Sequence, residues 1–443
     1  MKSYLYTKGF YLFHVVEVSI TIVSVELMKL LELSWEFYPS LVGGLGTYAS
    51  EICRQFVKLG TDVTVLTINK GDLKKREIWQ GIDIHRPIIV NTEDFFGSII
   101  SEEVREWGGR GIEFFSNIIA YNILSASKVA NDLVRIEGME FDVIVAHDWL
   151  SIAGGLSLKR ELNLPLVFHI HSTERGRSLG NPSRTVEQLE LIGAQRADLI
   201  VTVSQAMKGE MSTIGFPSEK IKVIYNGVDE RKYRSSNVST KRVKEIRELY
   251  GVEEEEFMIL FIGRLVAVKG VDKLVQSMSY VKSKFPNAKL LVIGLGALQE
   301  HLRNLVHQYS LDKEVDLRYE FISEKERLEH YAACDVAVFP SLYEPFGIVA
   351  LEAMSMEKPV VVGARGTSGL REIVIPNGEK QCGYHVNPYD PADIAWGINS
   401  LLVDRENMER LGDNGRSRVL EKFTWNGIAT ETLHAYQELL QSS

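Results

Sequence analysis

The chain has 443 residues, of which 45% are hydrophobic and 25% charged. That is the make-up of a globular protein with room for two or three domains and large cores. The net charge of −9 argues against a dedicated nucleic-acid binder, whose binding domains are basic, and leaves space for local basic pockets that take a phosphate.

Residues 10–27 are rich in apolar side chains, but His14, Glu17 and Glu26 interrupt every run well short of a membrane span. No small-residue cleavage site follows them. Residues 1–27 are therefore expected to form a peripheral extension, with Met28-Lys29-Leu30-Leu31-Glu32-Leu33-Ser34 opening the first core strand. From Lys29 onward, short β-branched runs alternate with amphipathic helical stretches, the signature of a parallel α/β fold. Strands are predicted at 30–34, 62–68, 142–146, 165–170, 198–203 and 221–225. Tyr48, Ile52, Phe56 and Leu59 fall at helical spacing, and Gly60 stops that helix. Residues 230–256 change character, with Ser235-Ser236 and then a charged stretch ending in Glu253–Glu256; they read as a linker and a lead-in helix. The alternation restarts at Met258–Ile262, Lys289–Ile293, Val336–Phe339 and Pro359–Val362. The expected architecture is α/β, with doubly wound Rossmann-like domains at 28–230 and 255–423 facing a central cleft. Ligands of such sheets bind outside the carboxyl ends of the strands.

The chemistry-bearing motifs gather at those ends. Val42-Gly43-Gly44-Leu45-Gly46 opens a helix, where glycines let backbone amides approach a ligand and the helix end favours an anion; alone it reads equally as a tight turn. His147-Asp148-Trp149 tips a buried strand, and Asp148 also suits the N-cap of a helix over Leu150–Leu158. In Phe168-His169-Ile170-His171, alternation puts His169 and His171 on one side. A zinc site there would need a third ligand, and none is assigned. Asn226-Gly227-Val228-Asp229 reads as a turn. Arg264 and Lys269, in Gly263–Gly270, put two cations before a helix; arginine by paired hydrogen bonds and lysine as a point charge can neutralise a diphosphate. Ile293-Gly294-Leu295-Gly296 lacks the third glycine of a dinucleotide fingerprint, Gln299 standing there, and reads as a tight turn. Glu344-Pro345-Phe346-Gly347-Ile348 puts a carboxylate on a loop before a helix that carries Glu352, and the amides of Phe346, Gly347 and Ile348 would face an anionic ligand. Cys53, Cys334 and Cys382 show no C-x-x-C pairing or metal-ligand spacing, and read as buried apolar residues in a reducing compartment.

Glu344 and Glu352 resemble the E-x7-E signature of retaining glycosyltransferases of the GT-B fold, and Gly263–Gly270 resembles their G-R-x5-K-G diphosphate clamp. Within that superfamily the order of motifs is most similar to glycogen (starch) synthases. Leu41 departs from the pattern, since many members have a lysine there, two residues before the Gly-Gly. The resemblance implies transfer of glucose from ADP-glucose or UDP-glucose to the 4-hydroxyl of an α-1,4-glucan such as glycogen. It implies catalytic roles for His171, Glu344, Arg264, Lys269 and Asp148. Donor contacts would come from Gly43, Gly44, Asn226, Phe346, Gly347, Ile348, Glu352 and Thr367, with Glu352 on the ribose and Thr367 in the loop facing the donor phosphates. It also implies that the last helix, 424–443, packs back across the first domain. No Asp-x-Asp triad stands at a strand end, so no metal and no cofactor besides the nucleotide sugar are expected. The partners expected are the donor and the glucan, with no nucleic acid and no membrane, room for a homo-oligomer, and a cytoplasmic location. The alternatives are another GT-B retaining enzyme, of trehalose- or sucrose-synthase type, or a non-catalytic glucan-binding protein.

Overall fold

The computed structural model describes residues 27–41, 43–90 and 100–442. The expected N-terminal extension, up to residue 26, lies outside them. Among the described residues, no helix is long and apolar enough to cross a membrane.

Two separate sheets form. The first comprises β1 Lys29–Leu33, β2 Asp62–Leu66, β3 Arg76–Trp79, β4 Ile82–His85, β5 Val143–His147, β6 Leu166–Ile170, β7 Leu199–Thr202 and β8 Ile221–Val223, in the order β3-β4-β2-β1-β5-β6-β7-β8. The second comprises β9 Phe257–Ile262, β10 Ala288–Ile293, β11 Val315–Arg318, β12 Val336–Phe339, β13 Val360–Gly363 and β14 Gly383–Val386, in the order β11-β10-β9-β12-β13-β14. Every pairing is parallel except β3 with β4. The central strands read as unbroken apolar runs because helices cover both faces; β5, β6, β9 and β12 are buried along their whole length. Both sheets reverse strand order beside their first strand, which places a topological switch point, and so a crevice, in each.

The ten strands expected from sequence are present, with ends moved by at most two residues. Four more were not anticipated. The β3–β4 hairpin, β11 and β14 lie at or next to sheet edges, where half-exposed sequences such as Arg76-Glu77-Ile78-Trp79 and Val315-Asp316-Leu317-Arg318 carry no apolar run. The first helix begins at Gly44, four residues before Tyr48, the first of the apolar repeat, and runs to Lys58.

The chain crosses between the two units twice. It leaves β8 through Asn226–Asp229 and returns after Phe423. The two crossings lie side by side: Val228 bridges Thr424 in parallel, and the Val228 amide donates to the Phe423 carbonyl at 2.8 Å. Helix Trp425–Ser442 then packs on helix Gly44–Lys58, where Trp425, Ile428 and Tyr436 join Tyr48, Ile52 and Phe56 in one buried cluster.

Candidate active site

Pro340 ends β12 and turns the chain so that Glu344 lies at the strand's carboxyl end. There its amide donates to the Thr367 carbonyl at 3.2 Å and its own carbonyl accepts from Gly369 at 2.8 Å, which ties it to the loop after β13. The carboxylate is nearly buried, and Oε2 takes both Lys269 Nζ at 2.5 Å and the Ser341 hydroxyl at 3.0 Å. No described residue donates to Oε1, which leaves that oxygen for a ligand hydroxyl.

Lys269 reaches Glu344 because of the glycine that follows it. Gly270 has φ +63°, and a Cβ on it would come within 2.1 Å of the Pro340 carbonyl oxygen. Only glycine allows both the turn and the approach. Val268, one residue before Lys269, accepts the Leu342 amide at 2.8 Å. Arg264 is exposed and has no ion-pair partner among the described residues. The loop that carries it is braced by its neighbour after β10: Gly263 donates to the Ile293 carbonyl at 3.1 Å and Leu265 to that of Leu295 at 2.8 Å. The Gly294-Leu295-Gly296 turn therefore props up the cation loop.

Gly347, with φ +112°, precedes helix Ile348–Ser355. The amides of Phe346, Gly347 and Ile348 have no hydrogen bond within the described residues. The Phe346 ring turns inward and packs between Tyr225 and Phe423, with centroids 5.9 and 6.0 Å away, so this residue offers a ligand its main chain only. Glu352 is held by three donors: Oε1 accepts from Tyr233 at 3.0 Å and Arg327 at 2.8 Å, and Oε2 from Tyr331 at 3.2 Å. It is 3% exposed, so a ribose hydroxyl would have to share Oε2 with Tyr331.

In the first unit, among the described residues, helix Gly44–Lys58 starts without a side-chain cap, and a Cβ on Gly43 or Gly44 would meet nothing within 4 Å. Their smallness therefore leaves open space at a helix N-terminus, where an anion is favoured. Asn226 is 5% exposed, and its Oδ1 is a buried acceptor with no partner among the described residues.

Asp148 corrects one expectation. It does not cap its helix: the N-cap position falls on His147, and no side chain caps it. Asp148 is itself the first helical residue, in the left-handed region with φ +53°, and its carboxylate accepts the His171 amide at 2.8 Å. Such a conformation costs a non-glycine residue about 1 kcal/mol or more and marks a position that the surroundings enforce. Burial raises the Asp148 pKa, against the pull of the Arg177 charge. Glu190, behind the same loop, is pushed up to about 8 by burial despite Arg177.

The third histidine that the sequence did not place is His147, at the tip of β5. Its Nδ1 lies 3.1 Å from His171 Nε2, and its Nε2 lies 2.9 Å from Glu32 Oε2. The rings of His147, His169 and His171 lie nearly parallel, at interplanar angles of 28°, 27° and 11°. Their ring nitrogens lie within 4.8 Å of one another, close enough that the three could hold a metal ion. Burial holds both His169 and His171 well below the usual imidazole pKa, helped by the neighbouring imidazoles. Glu32 could have been noticed as the lone carboxylate inside Leu30–Leu33.

The two halves meet at Tyr343, one residue before Glu344. Its hydroxyl accepts the Thr173 amide at 3.2 Å, two residues beyond His171, and contacts Met207 Sδ at 3.2 Å. Gly176 makes room for it: a Cβ there would fall 2.0 Å from the tyrosine ring. Ser204 donates to the Pro345 carbonyl at 2.7 Å, and Glu372 accepts the amides of Gln205 and Ala206 at 2.9 and 2.8 Å. The carboxylate–lysine pair of one unit is thereby brought beside the histidine loop of the other.

Two parallel α/β units that close on each other through their strand ends make the GT-B architecture. The sequence agrees. Residues 242–418 match the family of glycosyl transferases group 1, and residues 42–232 match glycosyltransferase family 4. An uncharacterised glycosyltransferase of Methanocaldococcus jannaschii is 33% identical over 93% of this chain and 98% of its own length. A glycogen synthase of Mycobacterium tuberculosis is 28% identical over 92% of this chain and 94% of its own. The solved structure of a sucrose-phosphate synthase from Thermosynechococcus elongatus superposes with a TM-score of 0.76 at 22% identity, covering 94% of this chain and all of that one. The chain belongs to the glycosyltransferases of these two families, and it is a hexosyl-transferring enzyme of the GT-B fold.

Proposed function

We propose that this enzyme is a glycogen synthase, moving glucose from ADP-glucose or UDP-glucose to the 4-hydroxyl of an α-1,4-glucan with retention of configuration. The observation that carries the reading is the Lys269–Glu344 pair, 2.5 Å apart at the end of β12 and facing the His171 loop across the crevice. The end-to-end similarity to a glycogen synthase supports it. In this reading Arg264 and Lys269 neutralise the leaving diphosphate, together with the free amides of Phe346, Gly347 and Ile348. The Gly43-Gly44 helix end and the Thr367 loop approach the same phosphates. Glu344 Oε1 accepts from sugar hydroxyls, and Glu352 takes the ribose through Oε2. His171 and the unpaired Oδ1 of Asn226 take the 6-hydroxyl, and Asp148 fixes the His171 backbone. The reading calls for no metal.

Retention through a covalent intermediate needs a carboxylate on the far face of the sugar. In this reading His171 occupies that side, so transfer runs on one face. The bond from the anomeric carbon to the diphosphate oxygen breaks. The acceptor 4-oxygen bonds to the same face, and its proton passes to the departing diphosphate. Closure of the two units excludes water and protects the donor from hydrolysis.

The test is release of nucleoside diphosphate from each donor, with and without glycogen. Glycogen-dependent release from one donor is expected. Release that ignores glycogen but responds to a small phosphorylated sugar would support a second reading, another GT-B transferase of sucrose-synthase type; Leu41 in place of the lysine brings its loop nearer to the broader GT4-type transferases.

A further inference from the structure

We infer that Glu32 and His147 are positioning residues that hold His171 in the tautomer whose Nδ1 is a hydrogen-bond acceptor facing the crevice. Glu32 is the one carboxylate in β1 and is 1% exposed. A buried charge in an apolar strand is costly unless it is partnered, and its partner is His147, itself 1% exposed, at 2.9 Å. A carboxylate only accepts, so the proton of this contact sits on His147 Nε2. With a single proton, on Nε2, His147 presents a lone pair at Nδ1, and His171 Nε2, 3.1 Å away, is then the donor. That leaves His171 Nδ1 bare. No described residue bonds to it, and it is not among the buried unpaired atoms. The stacked His169 ring, 4.3 Å from His171, disfavours a further positive charge at this point.

A bare nitrogen discriminates. It accepts from a hydroxyl, and it opposes a carboxylate, since two acceptors would then face each other. If His171 meets carbon 6 of the donor sugar, as the proposed function has it, the relay selects a neutral hexose over a hexuronic acid. Only this kinetic part rests on that reading; the tautomer does not.

The experiment is 15N NMR of the full chain labelled at histidine, with the His171 signals identified by their loss in His171→Gln. The expected wild-type spectrum has His171 protonated at Nε2 and bare at Nδ1. A proton on Nδ1, or on both nitrogens, overturns the inference whether or not any sugar is transferred. Glu32→Gln can donate as well as accept, so it should move the His171 proton towards Nδ1. It should also lower kcat/KM for the glucose donor about tenfold, the worth of one hydrogen bond, and shrink the preference over the corresponding hexuronate donor by a similar factor. An unchanged spectrum and an unchanged donor ratio in Glu32→Gln would equally refute it. If the tautomer is found but neither glucose donor reacts, the relay stands and the glucose-transfer reading fails.

Discussion

Arg264, Lys269 and Glu344 differ in what their removal leaves behind. Arg264 is exposed and has no ion-pair partner among the described residues, so Arg264→Ala should lower turnover about 100-fold or more with an unchanged melting temperature. Kinetics and a thermal melt on the same sample check this, and normal turnover would remove Arg264 from the diphosphate clamp. Lys269→Ala should lower turnover similarly but also lower the melting temperature, because Glu344 would keep only Ser341 as a partner. Glu190 gives a pH prediction. Its folded pKa, pushed up to about 8 by burial, lies above the ordinary carboxylate value, so the folded state holds a proton that the unfolded state releases. Its contribution is full below about pH 4.5 and is lost as the pH rises through 8. Glu190→Gln should flatten that fall, measured as urea midpoints at pH 5 and 8. Single residues were legible where a motif put them close in sequence, as with Arg264, Lys269, Glu344 and Glu352. The contact between Glu32 and His147 was not, because the two are 115 positions apart and meet only through the pairing of β1 with β5.

At the scale of elements, legibility followed burial. Strands covered on both faces declared themselves as apolar runs, whereas edge strands such as Gly383–Val386, with Tyr384 and His385 only partly buried, resembled loops. The Gly294 segment read as a tight turn, yet its task of bracing the Arg264 loop depends on a neighbouring strand that no local pattern names. The turn at Gly270 offers a test of how loops place the clamp. Gly270→Ala meets both a positive φ and a contact of 2.1 Å with the Pro340 carbonyl. It should cost about 1–3 kcal/mol in stability and should weaken turnover by shifting Lys269. Guanidinium unfolding together with steady-state kinetics checks both, and an unaltered enzyme would show that the clamp does not depend on this turn.

At the scale of the whole molecule, Tyr343 seated against Gly176 joins the loop of Glu344 to the loop of His171. Gly176→Val should hold the units apart, raising the radius of gyration measured by X-ray scattering and lowering turnover about tenfold or more, with each sheet intact by circular dichroism. An unchanged radius would show that the seat does not govern closure. The two side-by-side crossings, fastened where Val228 meets Phe423 and Thr424, have a mechanical consequence. A single tether lets two bodies swivel freely about it, but a doubled one resists torsion and yields mainly by bending, as a strap hinge does. The opening of this enzyme is thereby confined to a swing about one line, and each return swing brings the same two strand ends back into register.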